Sequence, residues 1–218
     1  MEVNARQVQE LRQKTGAGIM DCKKALAEEK GDFDKAVEYL RKKGLAASAK
    51  KAGRIATEGA VGSYIHAGGK IGVLVEVNCE TDFVGKNVEF QNFIKDIAMH
   101  IAASSPRYVT REEVPADVLE KEKEILAAQA AEQGKKPPEV MVKIVEGRIN
   151  KFFEEACLME QPFVRDTNKK VMDVLNELVA KIGEKIVIRR FVRFQLGEGL
   201  QKRSEDFAAE VQKATQVD

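Results

Sequence analysis

The sequence predicts an α+β protein in which a small antiparallel sheet of three strands packs on helices. Three features indicate this class: helical periodicity in the first 45 residues, strict apolar alternation over 71–79, and apolar stripes at i, i+4 spacing after it. We expect a three-helix N-terminal domain with a basic linker over 1–54, a core over 55–200 and a C-terminal helical module over 201–218. A helical hairpin at about 115–157 is expected to project from the core.

Glycine-containing turns divide the N-terminal domain into its helices. Thr15–Gly18 ends the first helix and Gly31 ends the second, after which Asp32 caps the third. Ile19 and Met20 directly follow the first turn, where burying both side chains together is difficult. Either both belong to the core, or one is exposed as a contact for a partner, and their position favours the second interpretation.

A cationic run follows the third helix. Residues 41–54 contain six Lys and Arg and no acidic residue, and residues 1–54 contain 13 Lys and Arg against 8 Asp and Glu. Such a run can bind the phosphates of nucleic acid. Because it has no interleaved aromatic residues and the whole chain carries a net charge of only +1, we interpret the run as a solvated linker.

The sheet is expected to contain three strands. Residues 58–66 and 71–79 form a hairpin, and the alternation in the second strand places Cys79 in the core as an unreactive thiol. A third strand is expected over 186–196. One face of this strand would carry Ile188, Val192 and Phe194. Its arginines either protect a sheet edge or face an acidic partner: Arg189, Arg190 and Arg193.

The segment Thr81–Asn87 joins the second strand to the next helix, and the chain is organised around it. Gly85 permits a sharp turn and Asn87 can cap the helix. Phe83 would either fold back as a lid over the core or, together with Asp82, form an exposed wedge for another protein.

Helices account for most of the remaining chain. Thr110–Glu113 matches a capping box before the first arm of the hairpin, which is either a protein-docking arm or a solvated spacer. His100 is expected at the edge of its helix as a satisfied residue rather than a ligand. After an irregular segment over 158–166, a helix runs over 168–182. A last helix over 204–214 carries the apolar pair Phe207 and Val211, which needs a surface in this chain or another.

Composition excludes several classes of function. The chain is 44% hydrophobic and 33% charged, with no apolar run that could cross a membrane and no signal-peptide pattern, so we expect a cytoplasmic protein. Three separated cysteines and two histidines provide neither a disulfide framework nor metal-ligand spacing. No nucleotide-binding loop or hydrolase motif occurs. We therefore expect no catalytic residue, no metal and no cofactor.

Four segments resemble signatures of the bacterial translation elongation factor Ts family. They occur in the family's order and span nearly the whole chain: Thr15–Leu26, Asn78–Asn87, Asp96–Ala103 and Gln161–Val164. The resemblance implies a ubiquitin-associated-like N-terminal domain and a guanine-nucleotide exchange factor for elongation factor Tu, without covalent chemistry.

The resemblance also implies roles for individual positions. The residues that would disturb the Mg²⁺ and phosphate site of Tu are Thr81, Asp82, Phe83 and Val84. Those that would contact its G domain are Arg12, Ile19, Met20 and Lys23, and the C-terminal helix with Phe207 and Val211 would add a further contact.

The chain resembles the short form of the family, with a single sheet module. A lone three-stranded sheet leaves a face and an edge exposed, so we expect a homodimer that binds two Tu molecules. Alternatively, the helical hairpin covers that face and the chain is monomeric. Two other classes stay open: a nucleic-acid or ribosome-binding protein, and a structural dimerisation module that does not need Phe83. We expect no membrane partner and no direct nucleic-acid binding.

Overall fold

The structure is a computed structural model that describes residues 3–132 and 137–200. It confirms the α+β class, while the helix predicted over 204–214, with Phe207 and Val211, lies outside the described residues. In chain order the elements are α1 (Ala5–Thr15), α2 (Ile19–Glu28), α3 (Phe33–Lys51), β1 (Glu58–Ile65), β2 (Ile71–Cys79), α4 (Asp82–Gly85), α5 (Val88–Ser104), α6 (Ala116–Glu132), α7 (Pro138–Ala156), β3 (Pro162–Phe163), β4 (Asp166–Lys170), α8 (Val171–Ile182) and β5 (Ile186–Gln195). Short 3₁₀ helices cover Arg111–Glu113 and Leu158–Glu160.

Helices α1, α2 and α3 pack around a small core of their own, as predicted. Asn4 caps α1 through its side chain, and Gly16 ends it in the left-handed conformation at φ 67°. Asp32 caps α3 by accepting a hydrogen bond from the Lys35 amide. The buried side chains of this core are Val8, Leu11, Cys22, Ala25, Leu26 and Ala36.

Helix α3 continues through most of the cationic run, so the linker interpretation is wrong for residues 41–51. The reason is composition, because alanine and lysine have high helix propensity. Gly44 in the middle of α3 is buried against α8, and a Cβ at this position would make an ordinary contact with the Cβ of Ala180, at 3.6 Å. The third helix therefore packs directly on the core.

Most cations of this run are paired with carboxylates of the same chain. Arg41 Nη2 lies 2.8 Å from Asp173 on α8, and Arg54 Nη1 lies 3.2 Å from Glu80 at the end of β2. Lys42 pairs with Glu38 and Lys43 with Asp21. This pairing leaves little of the run's charge free for the phosphates that the nucleic-acid alternative requires.

The strands β1, β2 and β5 form an antiparallel sheet in that order. Alternation in β2 is as predicted: Val73, Val75, Val77 and Cys79 are buried against α5. Gly62 on β1 permits the close approach of α5, because a Cβ there would lie 2.1 Å from Ile94 Cγ2.

A β-bulge in the third strand reverses the predicted orientation of its side chains. Val77 pairs with Ile188 but Glu76 pairs with Arg190, so Arg189 is an extra residue in β5. Beyond the bulge the alternation shifts by one residue. Phe191 packs against the core, and the prediction that Ile188, Val192 and Phe194 share a face is wrong, since Val192 and Phe194 are exposed.

The side of the sheet facing away from α5 is apolar and exposed in the described part of the chain. We call it the outer apolar face, and it consists of Val61, Ile65, Leu74, Val192 and Phe194. Glu76 lies on the same side and binds Arg189 and Arg190, at 2.7 and 2.6 Å. These hydrogen bonds hold the pKa of Glu76 below its usual value.

Helices α6 and α7 pack on each other around a separate apolar cluster, as the hairpin prediction requires. Residues 133–136, between the two helices, lie outside the described residues. The capping-box prediction at Thr110–Glu113 is wrong. Glu113 accepts a hydrogen bond from the Val109 amide instead, and α6 begins only at Ala116. Pro115 disfavours helical backbone at Val114, which is extended, and so delays the helix.

Two further predictions around α8 are wrong. The segment 158–166 is not irregular, because it forms a 3₁₀ turn and a small hairpin of β3 and β4. Helix α8 begins at Val171 rather than at residue 168. At this start the Asp173 carboxylate accepts a hydrogen bond from the Lys170 amide at 3.1 Å.

His100 is fully buried rather than at an edge, but it is satisfied as predicted. Its Nδ1 accepts from the Val164 amide at 3.1 Å, and its Nε2 lies 2.9 Å from Gln161 Oε1. Because Nδ1 accepts, Nε2 carries the proton and donates to Gln161. Burial lowers the pKa of His100.

Candidate protein-docking site

Helix α4 presents an apolar tip at the end of β2. Thr81 is its N-cap in extended conformation, and its hydroxyl accepts from the Val84 amide at 3.5 Å. Val84 is buried, whereas Asp82 is exposed and Phe83 is 88% exposed. Phe83 is therefore not a lid over the core. We call Asp82 and Phe83 the exposed tip.

Four contacts fix the frame below the exposed tip. The amide and hydroxyl of Thr81 donate to the two carboxylate oxygens of Glu184, at 3.0 and 2.7 Å. The side chain of Gln91 on α5 donates to the Gly85 carbonyl at 2.6 Å. Gly85 is helical, and its role is close packing rather than the sharp turn predicted, since a Cβ there would lie 3.3 Å from the Gly59 carbonyl oxygen.

Charges around the exposed tip are locally balanced. Lys86 Nζ lies 2.6 Å from Asp82 Oδ2, and this hydrogen bond raises the pKa of Lys86. Beneath the tip the Cys79 thiol donates to the Thr81 carbonyl at 3.1 Å. Burial raises the pKa of Cys79, so the thiol stays protonated and unreactive, as predicted.

A second exposed apolar patch lies at the start of α2. Ile19 is 54% and Met20 is 72% exposed, so both side chains face solvent where the sequence favoured exposure of one. Arg12 on α1 and Lys23 on α2 are also exposed. We call Ile19 and Met20 the α2 patch.

Lys181 on α8 contacts residues next to both the α2 patch and the exposed tip. Its side chain runs alongside Gly16, in the turn before Ile19, where a Cβ would lie 3.6 Å from Lys181 Cδ. Its ammonium binds Glu89 in the first turn of α5, the helix that follows the exposed tip. The turn before the α2 patch and the start of α5 are therefore neighbours.

Sequence reasoning missed the residues of the frame. Glu184 lies 103 residues after Thr81, and no local pattern links the two positions. Gln91 and Lys181 lie on the polar sides of amphipathic helices, where the sequence pattern predicts ordinary solvated side chains. Only the tertiary fold reveals their contacts.

Across residues 3–132 and 137–200, no group of three or more His, Cys, Asp and Glu side chains is placed to hold a metal ion. No helix within these same ranges is long and apolar enough to cross a membrane.

Fold and exposed side chains together define the class: a small α+β protein with two exposed apolar features, the exposed tip and the α2 patch. Comparison with known proteins gives the family. The family described as Elongation factor TS matches residues 5–198. The chain belongs to the elongation factor Ts family.

Similar proteins cover the chain almost completely. Elongation factor Ts of Geobacter sulfurreducens is 67% identical over 214 residues, which are 98% of this chain and 99% of the relative. Elongation factor Ts of Geotalea uraniireducens is 66% identical over 217 residues, a coverage of 100% for this chain and for the relative. Elongation factor Ts of Desulforamulus reducens is 65% identical over 210 residues, 96% of each chain.

Proposed function

We propose that this protein is a guanine-nucleotide exchange factor that binds GDP-loaded elongation factor Tu and releases GDP, so that GTP can bind during translation elongation. Family membership supports the partner. The observation that carries the mechanism is the exposed tip, because Phe83 is 88% exposed on a frame that is itself packed and hydrogen-bonded. An exposed aromatic side chain on a rigid support is suited to fill a pocket of a partner.

The exposed tip would act by insertion. Bound GDP is held largely by Mg²⁺ and by backbone amides around its phosphates. Phe83, with Asp82 beside it, would enter between side chains of Tu and shift the Mg²⁺ ligands, while Thr81 and Val84 hold the tip in place. The factor then binds nucleotide-free Tu more tightly than loaded Tu, and by reciprocity GDP weakens its binding to Tu.

No covalent bond changes in this mechanism, so we assign the protein as an exchange factor rather than as an enzyme. It uses no catalytic residue and no cofactor of its own. Since its partner works at the ribosome, we place it in the cytoplasm.

The α2 patch would form a separate contact with the G domain of Tu. Its two apolar side chains supply buried area on binding, and the exposed cations Arg12 and Lys23 would orient the contact. Phe207 and Val211 are proposed as a further contact. In this scheme residues 1–54 form a domain that binds the G domain of Tu. Residues 55–200 form the core that carries the exposed tip, and residues 201–218 provide the further contact with Tu.

We further propose that two copies associate through the outer apolar face. Leu74 is 48% and Phe194 67% exposed there, and the carboxylate of Glu76 on the same face is already paired with two arginines of the same chain. The hairpin of α6 and α7 does not cover this face in the described ranges, which favours the homodimer over the monomeric alternative. Light scattering that gives a monomer mass at all concentrations would contradict the dimer.

Nucleotide release tests the exchange function directly. Tu is loaded with fluorescent GDP and mixed with excess unlabelled GDP, with and without this protein. We expect release to be much faster with the protein present, and we expect a stable complex with nucleotide-free Tu that added GDP dissociates. Release at the intrinsic rate of Tu would contradict the proposal.

A further inference from the structure

We propose that Glu184 is a positioning residue for nucleotide exchange, which acts through Thr81 on the exposed tip. This inference rests on the exchange function proposed above. It assigns a role to a residue that lies outside the Thr81–Asn87 segment and does not itself reach the surface of the tip.

Both carboxylate oxygens of Glu184 accept hydrogen bonds from the same residue, Thr81. Oε2 accepts from the Thr81 amide at 3.0 Å and Oε1 accepts from the Thr81 hydroxyl at 2.7 Å. Both residues are half-buried, so water competes only partly for these groups. Hydrogen bonds to an ionised acceptor are roughly twice as strong as neutral ones.

The hydrogen-bond inventory of Thr81 shows why this contact controls the tip. A hydroxyl has one proton and two lone pairs. Donation of that proton to Glu184 fixes the rotation of the hydroxyl, and a lone pair is then left for the Val84 amide. Without Glu184 the hydroxyl can rotate, and the first turn of α4 loses its fixed acceptor.

Helix α4 is too short to keep its shape without such support. It has four residues, and a single helical turn costs more conformational entropy than its own hydrogen bonds return. The direction of Phe83 therefore depends on the contacts at the two ends of α4, Thr81 with Glu184 and Gly85 with Gln91.

The turn that carries Glu184 is itself firmly held. Gly183 ends α8 in the left-handed conformation at φ 86°, and the Lys185 amide donates to Glu80 at 2.6 Å. Lys185 Nζ donates to the carbonyls of Ala52 and Arg54, at 2.6 and 2.7 Å. Glu184 is thus a fixed anchor for the tip, not a mobile surface carboxylate.

Substitution of Glu184 should affect exchange far more than folding. The test compares wild type with Glu184→Ala, which removes both acceptors, and Glu184→Gln, which keeps one. Glu177→Ala is the matched control, because Glu177 lies on α8 and pairs with Lys169 rather than with Thr81. Thr81→Val, alone and combined with Glu184→Ala, tests whether the two residues act as a unit.

Two readouts are measured for each variant. The first is GDP release from Tu as a function of factor concentration, which separates maximal acceleration from apparent affinity. The second is amide hydrogen exchange of the free protein by mass spectrometry, which reports the order of α4 without any partner. Urea unfolding of each variant confirms that it is folded.

We expect Glu184→Ala to reduce maximal acceleration about tenfold, the size of losing hydrogen bonds to a charged group, with a smaller reduction for Glu184→Gln. Glu177→Ala should match wild type, and the double variant should lose less than the sum of the two single variants, because both remove the hydrogen bond between the Thr81 hydroxyl and Glu184. Amides of residues 82–86 should exchange faster in Glu184→Ala, while those of β2 stay protected.

Acceleration by Glu184→Ala within twofold of wild type would overturn the proposal. If wild type itself fails to accelerate release, the exchange function is wrong, and hydrogen exchange still decides the structural claim. Faster exchange at 82–86 would then support positioning by Glu184, and unchanged exchange there would overturn it.

Discussion

The ammonium of Lys86 lies 2.6 Å from the carboxylate of Asp82, one helical turn away, so the acidic residue beside Phe83 is paired in the free protein. This hydrogen bond and the charge of Asp82 raise the pKa of Lys86. Asp82→Asn should therefore return the pKa of Lys86 towards its usual value. NMR titration of the lysine side chains measures this, with Glu38→Gln as a control that should leave Lys86 unchanged. The same Lys86 pKa in Asp82→Asn would show that the pair does not form in solution.

Exposure of Phe83 predicts a contrast with Phe90, which is fully buried in α5. Phe83→Ala should change the free energy of unfolding by less than about 0.5 kcal/mol, because surface substitutions remove little packing. Phe90→Ala should cost about 3–5 kcal/mol. Urea denaturation of both variants tests the pair. A loss of several kcal/mol in Phe83→Ala would mean that this ring packs on the core in solution.

A charge on the outer apolar face should prevent dimer formation. Leu74 lies on the central strand β2, and in Leu74→Asp a dimer would have to bury an unpaired carboxylate on each copy. Light scattering should give a dimer mass for wild type and a monomer mass for Leu74→Asp. Val142→Asp, at a 57% exposed position on α7, is the matched control and should remain dimeric. A dimer of Leu74→Asp would place the interface elsewhere.

His100 predicts a specific pH dependence of stability. Its pKa is lowered by burial, so the folded protein favours the neutral ring while the unfolded chain still binds a proton near pH 6.5. The contribution of His100 to the free energy of unfolding is thus fully present above about pH 6.5. It is lost as the pH falls towards the pKa of His100 in the folded protein, which is lower. Urea unfolding between pH 5 and 7.5 should show this loss in wild type.

The second histidine provides the control for that experiment. His100→Gln should flatten the pH profile at the cost of some overall stability, and His66→Gln, at an exposed position, should keep the wild-type profile. An unchanged slope in His100→Gln would assign the pH dependence to other groups.

The sequence predicted the elements whose signal is local. Alternation over 71–79 fixed the buried face of β2, and Asn87 and Asp32 cap their helices as expected. Apolar spacing identified both arms of the hairpin. In each case side chains within about two helical turns or one strand determine the structure, and a single sequence contains that information.

Predictions failed where distant contacts or a single extra residue decide the outcome. The bulge at Arg189 depends on pairing with β2, more than a hundred residues earlier, and it moves Val192 and Phe194 to the opposite face. The end of α3 was assigned by charge, whereas helix propensity and packing on α8 determine it. For Phe83 the sequence left a lid and an exposed position open, and the structure shows it exposed, while its support through Glu184 required the fold.

The most direct test of this account is release of fluorescent GDP from Tu by wild type, Phe83→Ala and Ile125→Ala. Ile125 is an exposed apolar residue on α6, away from the tip, and serves as the control. The account predicts fast release with wild type and Ile125→Ala, and release at least tenfold slower with Phe83→Ala. Equal rates with wild type and Phe83→Ala would contradict insertion of the exposed tip as the mechanism of exchange.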